Sequence, residues 1–290
     1  MSISESDQHW VAVLGAGVMG ADLALDLAAH DYRVILKDLS EHQLTQARER
    51  IRQRYRFIRL MKREVMPMSC DELFSRIVFT TDFEGLDRVE VLIENITEDV
   101  AVKEQLYREL SPICPAGALV GINSSCISIS QLASLMPRPE RIVGMHFFNP
   151  VPLKPVVEVV RGEKTSAATL EEARRFLKTL GKTCVVVRDV PGYATNRVLM
   201  VMINECIWLV HDRVAEAADI DTIFRLGIAH KMGPLATADL IGLDTILRSL
   251  KVLYDGYQDA KYRPCPLLEK MVAAGSLGQK SGQGFFHYGT

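Results

Sequence analysis

WVAVLGAGVMGADLALDLAAHDYRVILKD, residues 10–38, decides the fold. Trp10–Leu14 is an apolar run ending at a glycine, Val18–His30 has helical periodicity, and Arg33–Leu36 is a second apolar run. Strand, helix and strand within about thirty residues make a βαβ unit with two parallel strands. The turn reads Gly15-Ala16-Gly17-Val18-Met19-Gly20, the spacing G-x-G-x-x-G. Glycine triplets are common, but this one follows a strand, opens a helix and leads to an acidic residue, Asp38, at the end of the second strand. That context is what dinucleotide binding requires. Gly15 permits the tight turn, Gly17 lets a pyrophosphate reach the backbone, and Gly20 lets helix and strand pack closely. Unpaired N–H groups at the start of the helix, around Val18 and Met19, then face the phosphates. Asp38 accepts hydrogen bonds from the adenosine ribose hydroxyls and repels a 2′-phosphate, which favours NAD over NADP. A glycine turn without a ligand is the competing reading.

The same alternation continues outward. Glu41–Lys62 reads as a long charged helix, broken at Met66-Pro67-Met68, and Ser69 with Glu72 makes a capping box for the next helix. Further strands are expected at Ile77–Thr80, Val89–Ile93, Ala118–Ile122, Arg141–Met145, Val156–Val160 and Cys184–Val187. Helices are expected at Val102–Leu110, Ile129–Leu135 and Ser166–Leu180. Alternating strands and helices imply an α/β Rossmann domain with a doubly wound, mostly parallel sheet. After the turn Asp189-Val190-Pro191-Gly192 only helical periodicity remains, at Val198–His211, Asp219–Leu226, Leu240–Tyr254 and Leu267–Ala274. The expected division is a nucleotide-binding domain, 1–188, with a helical hairpin at about 41–76, followed by a smaller all-α domain, 189–290.

Composition narrows the class. The chain has 290 residues, 48% of them hydrophobic and 24% charged, and a formal net charge of −2. These values suit a globular protein and leave no overall field that draws it to nucleic acid or an anionic membrane. No window is apolar enough to span a membrane. Met1–His9 is polar and acidic, unlike a secretory signal, so a cytoplasmic protein is expected. The six cysteines form no C-x-x-C pair, so no metal site is expected and the thiols are expected to be reduced.

Oxidation of a carbinol needs a base for the O–H proton while the C–H hydride departs, and histidine is well tuned for it. Of seven histidines, His146 stands at the end of an expected strand, in Met145-His146-Phe147-Phe148-Asn149-Pro150. Ligands of open α/β sheets bind outside such strand ends. Glu158 falls within the next apolar run, where a carboxylate needs a partner, and His146 would satisfy it. A purely structural His–Glu hydrogen bond stays open. Asn123-Ser124-Ser125 occupies another strand end, where a hydroxyl binds a substrate oxygen or caps the next helix. Asn196, at the first helix of the second domain, either reaches a substrate carbonyl or caps that helix.

These residues carry a resemblance. GAGVMG (15–20), NSSCISIS (123–130), RPERIVGMHFFNPVP (138–152), DVPGYATNR (189–197), MGPLATADLIGLDT (232–245) and LGQKSGQGFFHY (277–288) make the chain similar to the 3-hydroxyacyl-CoA dehydrogenase family over nearly its whole length. The resemblance implies NAD as cofactor and a C-terminal helical domain that forms a homodimer. It implies His146 as base, Glu158 as its orienting partner, Ser125 on the substrate oxygen, and Asn196 at the transition state. It adds Asn149 at the active site, and Glu98, Lys103 and Asn123 near the cofactor.

Departures from the family pattern border the acyl site: Leu153-Lys154-Pro155 precedes Glu158, and Cys126 stands where the family has the second serine of its serine pair. A proline inside a strand is confined to an edge or a bulge. Arg48, Arg50, Arg52, Arg54, Arg56, Arg59, Lys62 and Arg63 put eight cations in sixteen residues, against Glu49 and no other acid. Such a run is either a solvated helix face or a phosphate-binding surface, with Arg52 and Arg59 as candidate substrate contacts. An acidic acyl carrier protein suits the same patch. The expected substrate is thus a short 3-hydroxyacyl-CoA, with a carrier-protein thioester as the alternative. A free hydroxy acid and a non-catalytic NAD-binding role are the other readings; the intact Ser125, His146, Glu158 and Asn196 set argues against the last.

Overall fold

The computed structural model describes residues 9–61, 66 and 68–289. Lys62, Arg63 and Pro67, named above in the basic run and the helix break, lie outside the described residues. The chain divides into two compact units between Asp189 and Val190.

In the first unit β1 (Trp10–Leu14) enters α1 (Val18–Ala29) and β2 (Arg33–Lys37). α2 (Glu41–Met61), α3 (Cys70–Ser75) and β3 (Ile77–Thr80) follow, then β4 (Val91–Glu94), α4 (Val100–Leu110), β5 (Leu119–Ile122) and α5 (Ile129–Ala133). β6 (Ile142–His146), β7 (Val156–Arg161), α6 (Ala167–Thr179) and β8 (Thr183–Arg188) complete it. Among the described residues one eight-stranded sheet has the order β3-β2-β1-β4-β5-β6-β7-β8. The strands pair in parallel except β6 with β7. Chain order reverses between β1 and β4, the place where doubly wound sheets open a ligand crevice beyond the strand ends. The expected Rossmann sheet is therefore present, with one antiparallel ladder inside it.

The strands are apolar on both faces because helices cover both. Val91–Glu94, Leu119–Ile122 and Ile142–His146 are buried throughout. α1 is apolar nearly all round and correspondingly buried. Its two acids are matched from neighbouring elements. Arg54 of α2 donates to Asp22 at 2.9 Å, and Lys182, just ahead of β8, pairs with Asp26 at 2.9 Å. Burial pushes the Asp22 carboxyl up, and the Arg54 guanidinium partly offsets it. Lys182 also donates to the carbonyl of Val151 at 2.8 Å, tying the segment ahead of β7 to α1. Pro155 stands immediately before β7 and not within it, so the interior ladder keeps its donors; its carbonyl accepts from Thr183 N–H at 2.7 Å.

The second unit is helical: α7 (Thr195–His211), α8 (Ala217–Thr222), α9 (Pro234–Ile241), α10 (Leu243–Tyr257) and α11 (Pro266–Ala273). Periodicity alone had joined Leu240–Tyr254 into one helix. Gly242, at φ 101°, breaks it into α9 and α10, a backbone conformation that a residue with a Cβ rarely adopts. Buried carboxylates serve as caps here. Asp221 accepts from Leu235 and Ala236 N–H, both at 2.8 Å, at the start of α9. Asp239 accepts from Phe285 and Phe286 at 3.0 and 2.9 Å, holding the C-terminal segment.

Candidate active site

The glycine turn has the geometry its spacing requires. Gly15 sits at φ 101°, and a Cβ there would lie 2.6 Å from the carbonyl oxygen of Asn95. A Cβ at Gly20 would lie 1.8 Å from the carbonyl oxygen of Gly15, so α1 meets the turn only without a side chain. A Cβ at Gly17 would meet nothing within 4 Å. That open space adjoins the N-terminus of α1, which has no side-chain cap before Val18 and Met19. Asp38 accepts from Ala16 N–H at 2.7 Å through Oδ2, joining the tip of β2 to the turn. Its Oδ1 has only a long 3.4 Å approach from Ser40 N–H and remains able to accept from a hydroxyl. Open backbone, free helix N–H groups and a carboxylate at the second strand fit NAD.

Three strand tips away stands the chemical centre. His146 and Glu158 are opposite partners in the β6–β7 ladder, so the sheet register itself brings them together. His146 Nδ1 lies 2.9 Å from Glu158 Oε2, and both residues are buried. Ser125 Oγ lies 3.2 Å from His146 Nε2. With Glu158 accepting at Nδ1, the imidazole carries its proton there and turns a basic Nε2 toward Ser125. Phe148 leans over the ring at 4.9 Å between centroids.

Ser125 is itself held. Glu98 Oε1 accepts from Ser124 Oγ at 2.6 Å, Ser125 N–H at 2.8 Å and Cys126 N–H at 3.1 Å. Asn123 joins three strand ends: its N–H donates to the Glu94 carbonyl, its amide donates to Asn95 Oδ1, and its Oδ1 accepts from Phe147 N–H. Lys103 is fully buried, with Nζ 2.6 and 2.8 Å from the two oxygens of Glu94 and 3.7 Å from Glu98 Oε2. Glu94 and Asn95 were not singled out from the sequence, and Ser124 was named only within the serine pair. Their signal was position, since each stands at or just beyond a strand's carboxyl end.

Asn149 is exposed beyond β6. Asn196 is the buried second residue of α7, in the second unit, and the cap position of α7 is Ala194. On α2, Arg48, Arg52, Arg56 and Arg59 are exposed. Arg52 stacks on Phe74, and Arg59 donates to the Tyr55 hydroxyl. Arg50 and Arg54 turn inward instead, Arg50 toward the glycine turn and Arg54 to Asp22. Among the described residues no cluster of potential ligands could hold a metal ion.

Fold and site together define an NAD-dependent oxidoreductase. Residues 10–190 match the 3-hydroxyacyl-CoA dehydrogenase NAD binding domain, and residues 192–288 match the C-terminal domain of the same family. The chain is 40% identical to a probable 3-hydroxybutyryl-CoA dehydrogenase of Bacillus subtilis over 279 residues, 96% of each chain. It is 40% identical over 278 residues to 3-hydroxybutyryl-CoA dehydrogenase of Bradyrhizobium diazoefficiens, 96% of this chain and 94% of that one. The crystal structure of (S)-3-hydroxybutyryl-CoA dehydrogenase from Ralstonia eutropha superposes with a TM-score of 0.90 at 34% identity, covering 98% of this chain and 100% of the other. The chain belongs to the 3-hydroxyacyl-CoA dehydrogenase family, as the sequence motifs implied.

Proposed function

We propose that this enzyme oxidises the 3-hydroxyl of a short acyl-CoA thioester to the 3-oxo form, with His146 as general base. The observation that carries the reading is the chain Ser125 Oγ–His146 Nε2 and His146 Nδ1–Glu158, at 3.2 and 2.9 Å, built on the carboxyl ends of β5 and β6. Ser125 holds the substrate oxygen, and Nε2 takes its proton as the carbonyl forms. Glu158 fixes the tautomer and stabilises the imidazolium that results. NAD, when bound, supplies the acceptor for the C–H hydride. Gly17, Val18 and Met19 carry its pyrophosphate, Asp38 its ribose, and Asn123, Glu98 and Asn149 line its nicotinamide end in this reading, with Lys103 enclosed behind them and held by Glu94. Asn196 donates its amide to the oxygen on which charge develops.

Arg52 and Arg59 belong to the surface that meets the carrier of the acyl group. A carrier-protein thioester is the second reading, favoured by one feature. Four exposed arginines run along α2 beside exposed Phe57, Leu60 and Met61, a mixture suited to an acidic protein partner. A homodimer through the second unit is part of the proposal. That unit exposes Val198, Ile223, Leu226 and Ile228, and Val198 with Val201, Met202 and Leu209 lines an open groove of about 720 Å³ along α7. A cytoplasmic setting is also part of the proposal; no helix among the described residues is long and apolar enough to cross a membrane.

The test is NADH formation with (S)-3-hydroxybutyryl-CoA, the same acyl group on an acyl carrier protein, and free 3-hydroxybutyrate. Turnover of the CoA ester, abolished in His146→Gln with NAD binding retained, is the expected result. Faster turnover of the carrier-protein ester would move the substrate to the second reading. Preference for the free acid, or an active His146→Gln enzyme, would overturn the assignment.

A further inference from the structure

Beneath the serine turn lies a group of charges that the proton-transfer scheme does not use. Glu94 closes β4 with none of its surface exposed, and Lys103 of α4 is equally enclosed. Both carboxylate oxygens of Glu94 engage the Lys103 ammonium, and Oε1 also accepts from Ile96 N–H at 2.8 Å. The ammonium lies 3.4 Å from the Asn123 carbonyl and 3.7 Å from Glu98 Oε2. Glu98 spends its other oxygen on Ser124 Oγ, Ser125 N–H and Cys126 N–H. A continuous path thus runs from Glu94 through Lys103 and Glu98 to the backbone of Ser125, and from the Ser125 hydroxyl to His146. Burial pushes the Glu94 carboxyl up, and the Lys103 charge beside it works in the other direction.

We propose that Glu94 is a positioning residue: by fixing Lys103 it divides the pull of that cation, leaves Glu98 on the 124–126 turn, and so sets the Ser125 hydroxyl against His146. The physical reason is competition for one cation. Lys103 has two acidic neighbours, and Glu94 satisfies it at contact distance. Without the Glu94 charge, the only carboxylate left within 4 Å among the described residues is Glu98. Drawing Glu98 onto the ammonium loosens three hydrogen bonds of the turn at once. Misplacing a group at the reacting centre by about 1 Å costs about a hundredfold in rate.

The inference rests on the catalytic reading of Ser125 and His146, and a double-mutant cycle separates the two. Glu94→Gln, Ser125→Ala and the double variant are compared for kcat with the CoA thioester, with NAD affinity measured by calorimetry. The expected result is a fall in kcat of about 10- to 100-fold in Glu94→Gln, with NAD affinity held within about threefold. In the Ser125→Ala background the same substitution should change kcat by less than about threefold, because the group it positions is already gone. Two effects that multiply, or an unchanged kcat in Glu94→Gln, would overturn the positioning role. A fully active Ser125→Ala enzyme would instead overturn the reading of the site. If Glu94→Gln does not fold, Glu94→Asp keeps the charge but draws it back from Lys103 by one methylene, and it must show a smaller loss of kcat that likewise disappears in the Ser125→Ala background.

Discussion

Replacing Glu158 by glutamine is the sharpest probe of the chemistry, because it changes one atom and leaves the volume of the side chain intact. Glu158 Oε2 is 2.9 Å from His146 Nδ1 and both groups are buried, so water does not substitute for the lost charge. A hydrogen bond to a charged partner contributes about 1.5–3 kcal/mol. The imidazole becomes charged only as it takes the substrate proton, so that contribution falls on the transition state. At about 1.4 kcal/mol per decade, kcat should drop about 10- to 100-fold. Glutamine adds a second effect when its amide N–H faces Nδ1. The proton then moves to Nε2, which no longer accepts, and a loss of about 10⁴ follows, as when the histidine partner of a serine-protease triad is made neutral. The assay is steady-state kcat and KM with the CoA thioester at saturating NAD, alongside NAD affinity by calorimetry. NAD affinity should be unchanged. A fall in kcat of less than about threefold would refute the reasoning, since the pair would then be holding the sheet together and not tuning a base.

Two glycines of the nucleotide turn should separate binding from folding. Gly17→Ala places a methyl in open space, so the thermal midpoint should hold while NAD affinity falls at least about tenfold. Gly20→Ala drives a Cβ into the Gly15 carbonyl and should lower unfolding free energy by about 3 kcal/mol or more. Equal stability of the two variants in urea titrations would contradict this division. Lys182→Met strands the buried Asp26 carboxylate and should destabilise the protein by about 3–5 kcal/mol, whereas pairing it with Asp26→Leu should recover most of the loss. Equal unfolding midpoints for the single and double variants would show that the charge pair is not what Lys182 contributes.

Much of the nucleotide half was legible because its physics is local. A tight turn, a close approach and a helix N-terminus each need glycine at a particular spacing, and Asp38 follows at a strand end. Glu158 was legible for another reason, as a carboxylate in an apolar strand that must find a partner. The direction of its strand was not read from periodicity, which is the same for parallel and antiparallel pairs. Chain length did hold the answer. Nine residues, 147–155, separate β6 from β7, fewer than the dozen or so a parallel crossover needs. The break at Gly242 was hidden because apolar spacing continues across it. Glu94 and Asn95 were hidden because their role is relational: each matters through partners on other elements, which no window of sequence displays. The basic run shows the opposite error, since counting charges treats all arginines alike, and burial turns Arg50 and Arg54 inward while leaving Arg48, Arg52, Arg56 and Arg59 outside.

The single antiparallel ladder has a consequence for how such an enzyme diversifies. Because His146 and Glu158 are facing rungs of neighbouring strands, the proton-transfer pair depends on strand register and not on what the connecting segment contains. Beyond Phe147, Phe148 and Asn149, which the site uses, residues 150–155 can lengthen, shorten or change composition, provided the ladder re-forms with the same rungs opposed. In this chain that segment holds Leu153, Lys154 and Pro155, and its carbonyls are clasped by Lys182 from beside β8. Innovation in what is recognised is thereby decoupled from the chemistry: one short arc of chain is open to drift while the machinery it spans stays in frame.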